Sequence, residues 1–274
     1  MTRPQPTADE VLRAAFEAHA LRAELLAQDH ASVREPLLFA AGLYRAQSRI
    51  GVRLATGHAA RPLTGALERD VDVLLEALPA LWDLAASGPA PLAELEKVRS
   101  AEPSAVARTR LLTLWSGEAS DDWLTRCALR PYLAALSVIG LKPDRPRPSG
   151  EDQGGLCPFC AGAPSVGSRR TLPETDGATR FLHCALCGGE WKVNRIHCPW
   201  CGEEDPQKLP TFEAEQLPGA RIEACETCQR YVKSIDRSTD MRRVPEIDDL
   251  ATVALDFWAV EQGLTRGEPG LLGV

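Results

Sequence analysis

The sequence predicts an α+β protein with an amino-terminal α-helical domain, two tandem four-cysteine metal modules and a carboxy-terminal helix. Three observations carry this. Apolar residues recur at three- and four-residue spacing through residues 1–142, punctuated by Gly and Pro. Eight of the nine cysteines fall in four Cys-x-x-Cys pairs between Cys157 and Cys228. The tail "VPEIDDLATVALDFWAVEQG" then returns to helical spacing.

The helices come first. "TADEVLRAAFEAHALRAELLAQD" is a helix that Thr7 or Asp9 would cap. "EPLLFAAGLYRAQSRIGVRLA", "ERDVDVLLEALPALWDLAAS", "APLAELEKVRSA", "PSAVARTRLLTLWSG" and "DDWLTRCALRPYLAALSVIG" repeat the pattern. Pro79 and Pro131 are expected to kink or split their segments. An α-helical bundle is the natural packing for such a series. Cys127 stands alone and reads as a small packed apolar residue.

A change of composition follows. "KPDRPRPSGEDQGG" has little to bury and predicts a linker. The expected division is a helical domain over 1–142, a linker over 143–155, a first four-cysteine module over 156–195, a second over 196–240, and a helix and tail over 241–274.

The cysteine pairs start at Cys157, Cys184, Cys198 and Cys225, so the array repeats every 41 residues. Arg180 falls on Arg221 at the same offset. The repeat assigns Cys157, Cys160, Cys184 and Cys187 to one site, and Cys198, Cys201, Cys225 and Cys228 to another. The competing assignment, one site from the middle four, would strand the outer pairs. Four thiolates make a closed tetrahedral site for zinc or iron, so two mononuclear ions, iron or zinc, are the expected cofactors. Gly188 and Gly202 suit the positive φ of such turns, whereas Ala161 and Gln229 stand at the matching positions of the other two. His183 and His197 precede knuckle cysteines and are redundant as ligands. Trp191 and Trp200 read as apolar cover, with a partner-facing role as the alternative.

In the tail, Leu250, Val253, Ala254 and Phe257 would form one apolar face, with Trp258 adding to it. Asp248 and Asp249 suit a helix start, or a partner contact.

The formal net charge of −7 and pI near 5.4 argue against a nucleic-acid partner. There is no apolar run of membrane-spanning length and no signal-peptide pattern, so the expectation is a cytoplasmic protein in which thiols stay reduced.

On "CPFCAGAP", "RFLHCALCGGEW", "RIHCPWCG", "CETCQRYVKSID" and "PEIDDLATVALDFWAVEQG", the chain resembles the FdhE family of formate dehydrogenase accessory proteins. These motifs cover roughly residues 157–263, and Ala161 departs from the family's usual glycine. The resemblance implies rubredoxin-like, zinc-ribbon metal modules. It also implies a non-enzymatic chaperone role in maturing respiratory formate dehydrogenase, with that enzyme's catalytic subunit as the partner. Tyr231, Lys233 and Asp236 match the family motif, though an exposed end of the metal module explains them equally well. No nucleophile–base pair or phosphate loop stands out. The other reading is a rubredoxin-like electron-transfer protein.

Overall fold

The structure, a computed structural model, describes residues 5–57, 61–86, 88, 101–118, 123–147, 155–174, 177–271 and 273. The helix expected at 90–101 lies outside the described residues save for its last residue, as do residues 148–154 of the expected linker. The chain divides into two compact units, 1–25 with 38–147, and 26–37 with 148–274.

The first unit is helical. Its described helices are α1 (Ala8–Asp29), α2 (Arg34–Thr56), α3 (Leu67–Leu75), α4 (Pro79–Ala86), α5 (Ser104–Ser116) and α6 (Trp123–Val138), with the end of α1 and the start of α2 assigned to the second unit. Thr7 and Glu10 cap α1 reciprocally: the Glu10 N–H donates to Thr7 Oγ1 at 3.3 Å and the Thr7 N–H donates to Glu10 Oε2 at 2.8 Å. Pro79 opens α4 and so separates it from α3, as expected. Pro131, by contrast, sits inside α6 without ending it. Proline removes the N–H that would reach the carbonyl four residues back. That carbonyl, on Cys127, is taken by Gln47 Nε2 at 2.9 Å, and both Gln47 and Cys127 are buried. A side chain from α2 therefore satisfies what Pro131 leaves open.

The second unit is built on a sheet of seven strands: β1 (Pro164–Thr171), β2 (Ala178–Cys184), β3 (Glu190–Val193), β4 (Thr211–Glu213), β5 (Ala220–Cys225), β6 (Arg230–Asp236) and β7 (Thr265–Arg266). The order is β3-β2-β1-β6-β5-β4, with β7 also on β6. The pairs β1–β2, β2–β3, β4–β5 and β5–β6 are antiparallel, while β1 and β6 are parallel, Val166 opposite Lys233. Each 41-residue unit thus folds as a three-stranded meander, and the β1–β6 ladder merges two meanders into one sheet. The repeat announced the two modules; their union in a single sheet is new.

The tail is not one helix. It forms α7 (Pro245–Ala251), α8 (Ala254–Glu261) and β7. Lys233 explains the break, because its Nζ donates to the carbonyls of Asp249 at 2.6 Å and Thr252 at 3.3 Å, at the end of α7. The interruption rotates the apolar face away from the expected one. Leu250, Leu255 and Ala259 are buried, whereas Ala254 is exposed and Phe257 is 67% exposed. Leu255 and Ala259 join Val166, Ile222, Tyr231 and Ile235 in one core against the sheet.

Candidate metal centres

Each centre takes one pair from the turn before a meander and one from its second hairpin. Cys157 and Cys160 precede β1, Cys184 ends β2, and Cys187 lies in the β2–β3 turn. Cys198 and Cys201 lie between β3 and β4, Cys225 ends β5, and Cys228 lies in the β5–β6 turn. In the first three knuckles the leading cysteine's N–H donates five residues ahead and its carbonyl accepts from four ahead. The pairs are Cys157 with Gly162 and Ala161, Cys184 with Gly189 and Gly188, and Cys198 with Glu203 and Gly202, at 2.9–3.1 Å. Around Cys225 the same carbonyl accepts from the Gln229 N–H at 2.8 Å.

This wrapping turns the sulfurs inward. The four Sγ atoms of each group lie within 4.8 Å of one another. Cys157–Cys187 and Cys160–Cys184 are 3.6 and 3.4 Å apart, and Cys198–Cys228 and Cys201–Cys225 are 3.7 and 3.6 Å apart. A tetrahedron with metal–sulfur bonds of about 2.3 Å has sulfur–sulfur edges of about 3.8 Å. A disulfide requires about 2.05 Å. The spacing therefore fits a bound ion, and the two groups could hold two metal ions. The middle four cysteines are divided between the groups, and neither group contains a histidine.

All four turns need a left-handed residue. Gly188 and Gly202 have φ of 73°, but Ala161 and Gln229 take φ of 55° and 57°. The left-handed region is costly for residues with a Cβ. Beside Ala161, Gly162 has no room for a Cβ, which would press on Cys184 Sγ and the Leu186 side chain. The glycine of that knuckle is thus placed where contact with the centre demands it, one residue after the strained position.

The second centre has a strap that the repeat does not contain. Glu203 Oε2 accepts from Thr227 Oγ1 at 2.5 Å, joining its two knuckles, and Glu203 Oε1 accepts from the N–H groups of Glu204 and Asp205. The bond from Thr227, with these backbone bonds, holds the Glu203 carboxyl down to about 2. Trp200 packs its ring against Gly267, where a Cβ would collide with the indole. Cover of this knuckle agrees with the apolar role read from the sequence.

His183 is buried, hydrogen-bonded through Nε2 to Ser168 Oγ at 2.8 Å. Burial pushes its imidazole down to about 4, so it is neutral at physiological pH. His197 is half-buried, with Nδ1 3.6 Å from Glu204.

The repeat-related arginines meet between the modules. Arg180 on β2 donates to Glu223 Oε2, while Arg221 on β5 donates to Glu223 Oε1. Burial pushes the Glu223 carboxyl up, but Arg180 and Arg221 outweigh it and leave it below its ordinary value. Sequence reasoning found both arginines and missed Glu223, because the 41-residue offset places it opposite Leu182.

The tail carries a second charged cluster. Lys233 is buried with Nζ 3.1 Å from Asp249 Oδ1 and 2.5 Å from Asp256 Oδ2. Arg266 reaches both carboxylates, at 2.8 and 2.7 Å, and Tyr231 donates to Asp256 at 2.8 Å. Asp248 accepts from the Val244 N–H at 2.8 Å, the helix-start role read from the sequence. Asp249 instead faces the sheet. Tyr231 and Lys233 are buried rather than at an exposed end of the module.

Family models for the FdhE central domain and the FdhE C-terminal domain match residues 156–195 and 196–272. A protein FdhE homolog of Pectobacterium atrosepticum is 29% identical over 276 residues, 93% of this chain and 86% of its own length. One from Pseudomonas aeruginosa is 34% identical over 211 residues, 71% of this chain and 66% of its own. One from Aquifex aeolicus is 37% identical over 117 residues, 43% of this chain, and the match spans only 41% of that relative's length. The crystal structure of the FdhE protein from Pseudomonas aeruginosa superposes with a TM-score of 0.70 at 25% identity, over 98% of this chain and 97% of that one. Among the described residues no helix is long and apolar enough to cross a membrane.

Proposed function

The chain belongs to the FdhE family, and from that premise we propose that it is an accessory protein in the formation of active respiratory formate dehydrogenase. It acts by binding the enzyme's catalytic subunit through a metal-stapled scaffold. The carrying observation is that the two family models run without a gap across 156–272, one over each four-cysteine centre.

In this reading Cys157, Cys160, Cys184 and Cys187 hold one ion, and Cys198, Cys201, Cys225 and Cys228 hold the other. Each is iron or zinc. A four-thiolate site supplies folding energy and leaves no coordination position open to a substrate. The residues around the centres act as scaffold. The Glu203–Thr227 strap holds the second pair of knuckles, and Arg180, Glu223 and Arg221 tie the two meanders together.

The test is genetic and physical. Deleting the gene should abolish formate dehydrogenase activity, and the wild-type chain should restore it. Tagged protein should retain the catalytic subunit on an affinity column. Normal activity in the deletion strain would sink the proposal. With the wild-type chain restored, reversible one-electron cycling of its bound iron would favour electron transfer instead.

A further inference from the structure

We propose that the exposed face of α1 docks an amphipathic helix of the formate dehydrogenase catalytic subunit, one that carries basic residues along the border of its apolar stripe. This rests on the functional reading above and adds the surface and the kind of element that meets it.

α1 is apolar on two sides. Leu12, Phe16, Ala20 and Ala23 are buried and supply the face that the helical unit needs. A second series, Val11, Ala14, Ala18, Leu21 and Leu25, is spaced 3, 4, 3 and 4 residues apart and is exposed throughout. Its large members are far from covered: Val11 is 40%, Leu21 56% and Leu25 43% exposed. Folding of this chain does not account for them. Alternating three- and four-residue spacing is the seam into which a second helix sets its knobs. A strand, with a period of two, does not match it.

The border of the seam selects charge. Glu10, Glu17 and Glu24 follow one another at seven-residue spacing, so helix geometry lines them along one side of it. Glu17 and Glu24 share a single cation, Arg45 of α2, at 2.8 and 2.5 Å. Arg13, further round the helix, is paired with Asp9, and Arg22 lies half-buried on the opposite border. One guanidinium against two carboxylates, with Glu10 beyond them, leaves this border negative. Bonds from Thr7 and from Arg45 hold the Glu10 and Glu24 carboxyls below their ordinary value, which keeps them ionised at neutral pH. Charges flanking such a seam set the choice of partner. Lysine or arginine beside the incoming stripe complements this edge.

The experiment uses the full-length, metal-loaded chain and the purified catalytic subunit, with the dissociation constant measured by interferometry. Leu21→Glu/Leu25→Glu should weaken binding at least about a hundredfold, since burying each leucine is worth about tenfold or more. Metal content and melting temperature should hold, because both positions are exposed. Val106→Glu, at an exposed apolar position on α5, should bind like the wild type. Glu24→Gln should weaken binding a few-fold at low salt and flatten its salt dependence. Wild-type affinity in the Leu21→Glu/Leu25→Glu variant overturns the proposal and leaves the functional reading standing. Failure of the wild-type chain itself to bind the subunit overturns both. Salt dependence unchanged in Glu24→Gln overturns the basic partner. A stripe that joins two copies instead would give a dimer that Leu21→Glu/Leu25→Glu splits with subunit affinity unchanged, and that result overturns the proposal as well.

Discussion

Arg180 on β2 and Arg221 on β5, one repeat apart, hold opposite oxygens of a single carboxylate, with Arg180 Nε 2.8 Å from Glu223 Oε2 and Arg221 Nη2 2.5 Å from Glu223 Oε1. Glu223→Gln keeps the shape and removes the charge. It leaves two guanidinium groups facing each other, and breaking a buried pair in this way costs about 3–5 kcal/mol. A loss in that range is expected in urea denaturation of the metal-loaded protein.

The same carboxylate sets a pH dependence. Its folded-state value lies below the ordinary one, so its contribution is full above about pH 4.5 and falls as pH drops through the lowered value. Wild-type stability should therefore decline on acidification more steeply than that of Glu223→Gln. Parallel curves for the two proteins would contradict the assignment.

Ala161 holds a left-handed φ of 55° in the first knuckle. Ala161→Gly should relieve that strain, about 1–2 kcal/mol, against a glycine entropy cost of about 0.5–1 kcal/mol. The expected outcome is a melting temperature a few degrees higher. Ala161→Val should lower it, since a branched Cβ worsens the same conformation. Gln229→Gly should gain less, because it loses the bond from Gln229 Nε2 to the Glu226 carbonyl.

Lys233→Met removes the cation between Asp249 and Asp256 and leaves Arg266 to offset both. A loss of about 3–5 kcal/mol is expected. Hydrogen exchange should rise first across 245–261, since Lys233 also holds the carbonyls at the end of α7. Uniform exchange along the chain would mean that the tail does not depend on this residue.

Chelation at neutral pH should release two ions per chain. Cys187→Ser should leave one, with melting at least about 10 °C lower. Because β1 and β6 share a ladder, the surviving centre should also lose its ion at lower chelator concentration than in the wild type. Full wild-type metal content in this variant would show that Cys187 is not a ligand.

The grouping of the eight cysteines into two clusters was legible because chemistry and periodicity coincide: cysteines are rare enough that a 41-residue repeat stands out. The helical unit was legible from its apolar spacing. Long-range pairing was not. Nothing in either meander announces that Val166 lies beside Lys233. Lys233 read as surface because lysine usually is, and its burial depends on Asp249 and Asp256 arriving from a distant segment. The tail's apolar face was misplaced for the same reason, since a tertiary contact from Lys233 ends α7. Ala161 and Gln229 were visible as departures from glycine, but their positive φ follows from the closing of each sulfur cage.

The strand order has one more consequence. By the 41-residue offset, β4, β5 and β6 correspond to β1, β2 and β3, so the sheet runs 3-2-1 followed by 3-2-1 again. Such head-to-tail joining does not close on itself: the free edge of β4 is the counterpart of the β1 edge that β6 occupies. Joining of this kind extends a sheet in one direction rather than closing it into a ring. The sequence ends the series at its last strand. β1 has eight residues and β4 has three, and Pro210, without an N–H, stands just ahead of it. Across the sheet, β3 is cut to four residues and carries Glu190 and Lys192. The duplication that makes two four-cysteine groups thus also makes two unlike rims, and each is a short strand.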